Sequence, residues 1–329
     1  MAIIVLGIES SAHTFGVGIA RGDGRILANV YSSYIPRYGG ILPREAARHH
    51  YNVAHKIVIK ALKEAGLNIE DIDGIAVALG PGMGPCLRVG AFIARILAIK
   101  YSKPLIPVNH AVAHVEIARL TTNAKDPLFV YVSGGNTQII AYSHGRYRVF
   151  GETLDIPLGN FFDTLARELG LPQPGTPYIE MLASKGKNII ELPYVVKGQD
   201  MSYSGLLTAI LRKFKEGIPI EDLCLSAMEY AYAMLAEVVE RALAHTQKRE
   251  LVLAGGVARS KRLQRIMKLV AEEHDAIFKV VPDEYAGDNG AMIAWTGVLC
   301  LKSGITISPE DSIVRQRWRI DEVDVPWMQ

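Results

Sequence analysis

Two histidines stand four apart in the stretch His110-Ala111-Val112-Ala113-His114. On a helix, residues at i and i+4 lie one above the other on the same face, because 3.6 residues make a turn. Neutral imidazole is the commonest protein metal ligand, so such a pair can hold one ion from one side. The spacing also arises when one histidine packs in a core and the other meets solvent. Ala111 follows the first histidine, where an H-E-x-x-H zinc protease needs its glutamate base, so that hydrolysis is excluded.

A second kind of chemistry is suggested by small polar turns. Glu9-Ser10-Ser11-Ala12-His13-Thr14 and Ser133-Gly134-Gly135-Asn136-Thr137 each interrupt apolar runs. Their hydroxyls and backbone N–H groups suit an anion the size of a phosphate. Gly80-Pro81-Gly82-Met83-Gly84 and Gly255-Gly256 each join a strand to a helix, where a ligand can approach backbone N–H groups at a helix N-terminus. The G-x-G-x-x-G spacing is absent and no acidic residue follows about 20 positions on, which disfavours a dinucleotide fold.

These turns need strands and helices to hold them. Apolar runs predict strands over 2–8, 15–20 and 26–34, with turns between them. A loop from Gly39 leads into a helix ending near Ala65 that carries His49, His50 and His55. A strand over 74–78, a helix over 87–101 and a strand over 104–108 lead into the His110 helix. After Asp126-Pro127 the scheme restarts, with strands over 128–132, 138–142 and 146–150. Helices follow, the longest over 225–245, then a strand over 250–254, a helix over 259–271, a strand over 278–281 and a last apolar helix to about Leu301. A meander that occurs twice, each time followed by helix–strand alternation, predicts an α/β protein of two similar lobes around a cleft. The lobes are expected over 1–123 and 124–329, with the last helix and tail able to pack back on the first lobe.

Composition agrees with a globular enzyme. The chain has 329 residues, 49% of them hydrophobic and 21% charged, enough for a sizeable core and about two domains. A net charge of +2 is low for a protein that wraps nucleic acid over most of its surface. Cys86, Cys224 and Cys300 are far apart and form no C-x-x-C, which fits a reducing cytoplasm. Met1 to Leu6 lacks the basic flank of a signal peptide. The long apolar helix carries Glu229, Glu237, Glu240 and Arg241, so no membrane span is expected.

Several motifs taken together resemble one family. They are Gly7-Ile8-Glu9-Ser10-Ser11-Ala12-His13-Thr14, Gly80-Pro81-Gly82 with Leu87-Arg88-Val89-Gly90, the His110/His114 pair, Val132 to Thr137, Gly159-Asn160-Phe161-Phe162-Asp163, Ser202-Tyr203-Ser204-Gly205, Gly255-Gly256 and Asp288-Asn289-Gly290-Ala291-Met292. They resemble the tRNA threonylcarbamoyladenosine transferases, once mislabelled O-sialoglycoprotein endopeptidases, in the archaeal and eukaryotic branch that is the catalytic subunit of the KEOPS complex. The likeness runs from about Ile4 to Gly297.

The resemblance implies an actin-like ATPase superfold of two duplicated lobes around a nucleotide-binding cleft. It implies one divalent metal, usually Fe(II), with zinc a close second, on His110, His114 and Asp288, with Tyr131 adding a phenolate. The implied reaction moves threonylcarbamoyl from threonylcarbamoyl-AMP to the exocyclic amine of an adenosine beside the anticodon in tRNAs reading ANN codons. ATP, ADP or AMP would fit the same cleft. Ser133, Gly134, Gly135 and Asn136 would take a phosphate, Asp163 and Glu180 would hold ribose or threonyl groups, and Gly255-Gly256 would lie under the adenine. Glu9 and His13 are candidate catalytic groups in the first loop. Two positions depart from the family pattern. Thr176 replaces a usual glycine and puts a Cβ where positive φ could be needed. Ser260 replaces an asparagine and has the shorter reach. The implied partners are tRNA, a small kinase or ATPase subunit and the other KEOPS subunits, in the cytoplasm, with neither membrane nor DNA as a main target. RNA contacts are expected from Lys248, Arg249, Arg259, Lys261, Arg262, Arg265, Arg315, Arg317, Trp318 and Arg319. A phosphotransferase on the same fold, or a nucleotide-gated scaffold without a metal, are the rival readings.

Overall fold

A computed structural model describes residues 3–35 and 40–328. The expected loop start at Gly39 and strand start at Ala2 lie outside the described residues. The chain forms two compact units: Met1–Leu120 with His144–Tyr147 and Asp288–Gln329, and Thr121–Ser143 with Arg148–Gly287.

The first unit begins with β1 (Ile4–Glu9), β2 (Thr14–Arg21) and β3 (Ile26–Ser33). Helix α1 (Pro43–Ala65), β4 (Gly74–Gly80), α2 (Gly84–Lys100), β5 (Leu105–Asn109) and α3 (His110–Thr122) follow. Its sheet runs in the order β3-β2-β1-β4-β5. β1 pairs antiparallel with β2, while β1–β4 and β4–β5 are parallel. β4 is buried along its whole length, as its unbroken apolar run requires of a parallel strand covered on both faces.

The second unit repeats that plan. β6 (Leu128–Val132), β7 (Thr137–Ser143) and β8 (Arg146–Glu152) precede α4 (Leu158–Glu168) and α5 (Gly175–Ala183). The short hairpin β9 (Val196–Lys197) and β10 (Asp200–Met201) leads to α6 (Ser204–Lys215) and α7 (Ile220–Thr246). β11 (Glu250–Ala254), α8 (Lys261–Glu273), β12 (Ile277–Val280) and the single turn α9 (Asp283–Ala286) complete it. Its sheet order, β12-β11-β6-β7-β8, is the first sheet's order met again: a hairpin meander, then two parallel strands. α7 starts five residues earlier than the apolar run alone predicts, after Pro219, with Glu221 and Asp222 in its first turn, where acidic side chains favour a helix N-terminus. Its buried face, including Ala227, Met228, Leu235 and Val239, lies at the centre of this unit's core.

The final helix, α10 (Gly290–Lys302), follows the second lobe in sequence but packs on β1, β2, β4 and β5 of the first unit. Glycines make that approach possible. A Cβ on Gly18 would stand 2.3 Å from the Ala291 nitrogen, and one on Gly7 2.1 Å from the Ala294 nitrogen. The missing side chains let the backbone of an apolar helix lie directly on the sheet. No helix among the described residues is long and apolar enough to cross a membrane.

Candidate metal centre and glycine loops

The His110/His114 pair is set at the first turn of α3 by the residue before it. Asn109 Oδ1 accepts hydrogen bonds from Ala111 N at 2.9 Å and Val112 N at 3.1 Å, an N-cap that starts the helix at His110. Both imidazoles are buried. Asp288 reaches them from just before α10, where Asn289 caps the helix by accepting from Met292 N at 3.0 Å. The three donors therefore all belong to the first unit, although Asp288 follows the second lobe in sequence.

Their spacing fits a metal. The Nε2 atoms of His110 and His114 are 3.2 Å apart, and Asp288 Oδ1 is 3.3 Å from His114 Nε2 and 3.5 Å from His110 Nε2. A triangle with those edges places a central point about 1.9 Å from each corner, and ligands bound tetrahedrally at 2.0–2.1 Å would stand about 3.3–3.4 Å apart. Two nitrogens and a carboxylate oxygen suit Fe(II) or Zn(II), with positions left for a ligand.

Behind the donors, Glu9 Oε2 accepts from His110 Nδ1 at 2.9 Å, Ser11 Oγ lies 3.1 Å from the same nitrogen, and Ser11 N donates to Glu9 Oε1 at 2.5 Å. A carboxylate on the far ring nitrogen fixes the tautomer and turns Nε2 toward the ion. Burial lowers the pKa of His110, but Glu9 and Asp288 outweigh it and raise it to about 9. His114 goes the other way, pulled down by burial. Burial opposes ionisation of Asp288, yet His110, His114 and His13 together hold its carboxyl well below the usual range.

In the second unit the expected anion turn is largely closed on itself. Ser133 N donates to Asn136 O at 2.8 Å, and Gly135 N and Asn136 N donate to Ser133 Oγ at 3.3 and 3.0 Å. Gly134 N is the one backbone donor of this turn without a partner among the described residues. A Cβ on Gly134, Gly135 or Gly256 would meet nothing within 4 Å, whereas Gly255, at φ +99°, would drive one to 2.2 Å from Val132 O. Gly255 is therefore a packing requirement between β11 and β6, and Gly256 lines open space.

The sequence of 327 residues aligned with a Thermofilum pendens protein is 60% identical, covering 99% of this chain and 97% of that one. A Caldivirga maquilingensis protein is also 60% identical, over 99% of this chain and 98% of its own. Both are tRNA N6-adenosine threonylcarbamoyltransferases, and the profile of that family matches residues 25–295. The chain belongs to the tRNA N6-adenosine threonylcarbamoyltransferase family. Membership makes it a transferase. Solved structures agree on the actin-like ATPase fold: T. kodakarensis HypF superposes with a TM-score of 0.67 at 17% identity, over 92% of this chain and 48% of that one. The Acidaminococcus fermentans (R)-2-hydroxyglutaryl-CoA dehydratase component A does so with a TM-score of 0.53 at 14% identity, over 90% and 98%.

In this threonylcarbamoyltransferase-family chain, Asp163 Oδ1 accepts from Gly175 N at 2.7 Å, and burial raises its pKa. Glu180 Oε1 accepts from Arg262 N at 2.9 Å, and Ser260 Oγ accepts from Leu263 N at 3.2 Å, so both hold the start of α8. Thr176 sits in the first turn of α5 at ordinary helical φ, which removes the strain expected there. Tyr131 is buried on β6 in the second unit, its ring stacked near Phe129. His13 is half-buried on the turn after β1. Many of the basic residues expected to meet RNA are paired within the chain: Lys248 with Asp126, Arg262 with Glu229, Arg259 with Asp283, Arg315 with Glu322 and Arg319 with Asp321.

Sequence reasoning gave Ser11 a place in an anion turn, whereas its hydroxyl lies against His110 Nδ1, and it passed over Asn109 and Asp155. Asp155 accepts from Ser202 Oγ, Ser204 Oγ and Tyr203 N. Burial opposes its charge, but those bonds outweigh it and hold the carboxyl well below the usual range. The Ser202-Tyr203-Ser204 motif is thus a carboxylate cradle, whose partner 47 residues away no spacing reveals. Asn109 was findable, since an Asn directly before a helix is a capping signal.

Proposed function

We propose that this chain transfers threonylcarbamoyl from threonylcarbamoyl-AMP to N6 of the adenosine beside the anticodon, as the catalytic subunit of a KEOPS assembly in the cytoplasm. The observation that carries the metal-assisted reading is the triangle of His110 Nε2, His114 Nε2 and Asp288 Oδ1, backed by Glu9 on the far nitrogen of His110. In this reaction the amine nitrogen bonds to the carbamoyl carbon, that carbon releases the phosphate oxygen, AMP leaves with the bonding electrons, and the nitrogen loses a proton. The donor is already activated, so what remains is positioning and stabilisation of charge on oxygen.

A divalent ion, which we take to be Fe(II), would act as a Lewis acid toward a carbonyl or phosphate oxygen. Glu9 and Ser11 keep the His110 ring aimed, and burial of both histidines strengthens electrostatics at the donors. Gly134 N–H is the open donor for a phosphate oxygen, and opening of the Ser133 turn would add Gly135 and Asn136. Asp163, Glu180 and the Gly255-Gly256 turn are assigned to the nucleoside, Tyr131 to the ion as a fourth protein ligand, and His13 to proton handling beside Asp288.

The test uses the full chain with its partner subunits, threonylcarbamoyl-AMP and unmodified tRNA. Modified adenosine should form, and His110→Ala should abolish it. Full activity of that variant would overturn the metal role. Metal content of protein purified without chelators or nickel resin should show one iron per chain, and unchanged content in a His114→Ala/Asp288→Ala variant would overturn the ligand set.

A further inference from the structure

Helix α3 is held from both sides. One side presents His110 and His114. Glu116 stands two residues after His114, about 200° round the helix, and is buried. Its Oε1 accepts from Tyr147 OH at 2.6 Å and from Trp327 Nε1 at 2.8 Å, and its Oε2 accepts from Arg119 at 2.7 Å. Trp327 lies in the last turn of the described chain, so the C-terminal tail reaches the second turn of the metal-bearing helix. The same tail also reaches its start, since Asn109 Nδ2 donates to Trp318 O at 3.1 Å while Asn109 Oδ1 caps α3. Between those two points the tail is tied to its unit by Val325 N on Gly145 O at 2.9 Å and by Arg146 on Asp324 at 2.6 Å.

We propose that the C-terminal tail, through Trp327 on Glu116 and Trp318 on Asn109, is a clamp that sets the position of α3 and thereby the divalent-metal affinity of His110, His114 and Asp288. The inference rests on the metal reading above. Its physical basis is that α3 carries two donors on one rigid helix while the third, Asp288, comes from a different segment. A small axial shift or rotation of α3 changes two of the three donor separations at once. A buried carboxylate with three charge-assisted or neutral donors is a strong anchor against such a shift. Trp327 and Glu116 are thus positioning residues, remote from the reacting atoms.

Cobalt(II) titration of the full chain, followed by its visible ligand-field bands, reads the site without any turnover. Trp327→Phe keeps an aromatic ring and removes the N–H. Glu116→Gln keeps the shape and removes the charge. Each should weaken Co(II) binding by about tenfold, the low end for residues that orient ligands, and shift the bands. The double variant should be no weaker than the worse single, because both act through one contact. Apoprotein melting temperature is measured alongside. A lower melting temperature with wild-type Co(II) affinity and spectrum would make the contact purely structural and overturn the clamp. Should Glu116→Gln not fold, Trp327→Phe decides alone. Failure of the wild type to bind Co(II) would instead refute the metal reading, and the clamp with it, so the two failures are told apart by which protein fails.

Discussion

Replacing Glu9 with glutamine sets two effects against each other, and their sizes say at which pH to look. His110 must release a proton before its Nε2 can take a metal, so binding is coupled to pH. With its pKa raised to about 9, the group carries that proton throughout the neutral range. Apparent affinity of the wild type should therefore climb about tenfold per pH unit at neutral pH, by about 150-fold in all from pH 6.5 to 9, and level off above. Glu9→Gln removes the larger of the two carboxylate effects on His110 and leaves burial in place. The imidazole pKa then falls, held up by Asp288 alone against burial, and affinity stops rising at a lower pH than in the wild type. The variant also loses the partner that aims the ring, which costs about 10–100-fold in intrinsic affinity. At pH 7 the wild type bears a proton penalty of about 100-fold, which offsets the variant's loss, so the variant should bind Co(II) as tightly as the wild type or up to about tenfold more tightly. Above pH 9 the penalty is gone and the wild type should win by about 10–100-fold. Competition titrations against a chelator across pH 6.5–9.5 measure both curves. A wild-type affinity that does not change with pH, or a variant that keeps the wild-type slope, would refute the coupling between Glu9 and His110.

His50 should contribute to acid unfolding: burial lowers its pKa to about 4, partly offset by its hydrogen bond to Ala12 O at 2.9 Å. The folded value lies below the ordinary 6.5, so its stabilisation is full above that pH and lost as pH falls toward 4, by about 2–3 kcal/mol between pH 7.5 and 4.5. Urea melts should show a smaller loss over that range for His50→Gln than for the wild type; equal losses would refute the assignment. Gly255→Ala should destabilise by more than about 2 kcal/mol, through its positive φ and the clash with Val132 O, while Gly256→Ala should stay within about 1 kcal/mol; denaturant midpoints check both, and similar values would contradict the packing. Asp155→Asn should cost about 1–3 kcal/mol, since the loops before α4 and α6 share this carboxylate; a melting temperature equal to the wild type's would count against it.

Local periodicity made the repeated meander, the strand–glycine–helix junctions and the His110/His114 pair readable, because each lies within a few residues of sequence. The partners that give those residues their roles are not local. Asp288 lies 174 residues from His114, and Glu9 lies 101 residues from His110. Only resemblance brought Asp288 into the ligand set, and it left Glu9 as a candidate catalytic group, where the geometry instead puts it behind the imidazole. The helical φ of Thr176 has a related cause. A proline two places after Gly175 reads as a rigid loop, yet the first turn of a helix tolerates proline, and α5 begins before it. The basic residues were legible as charges, but their carboxylate partners were not.

The placement of α10 ties these observations into one constraint on folding. Glycines at 7 and 18 leave room on the first sheet's face, and the backbone of α10 lies directly over them. Until residues after 287 are made, β1 and β2 lack that cover, and the His110/His114 pair lacks its carboxylate. Contacts of such long sequence separation are closed late, after local elements have formed. The second lobe is thus inserted in sequence between two halves of the first, and joining those halves is what brings Asp288 to His110 and His114. Metal bound at His110, His114 and Asp288 would accordingly stabilise the α10 docking itself, because an ion that binds only the folded state shifts the folding equilibrium by mass action. On this reasoning the apoprotein and the metal-loaded protein should differ most in hydrogen exchange along α10 and β1–β2, and least along α7.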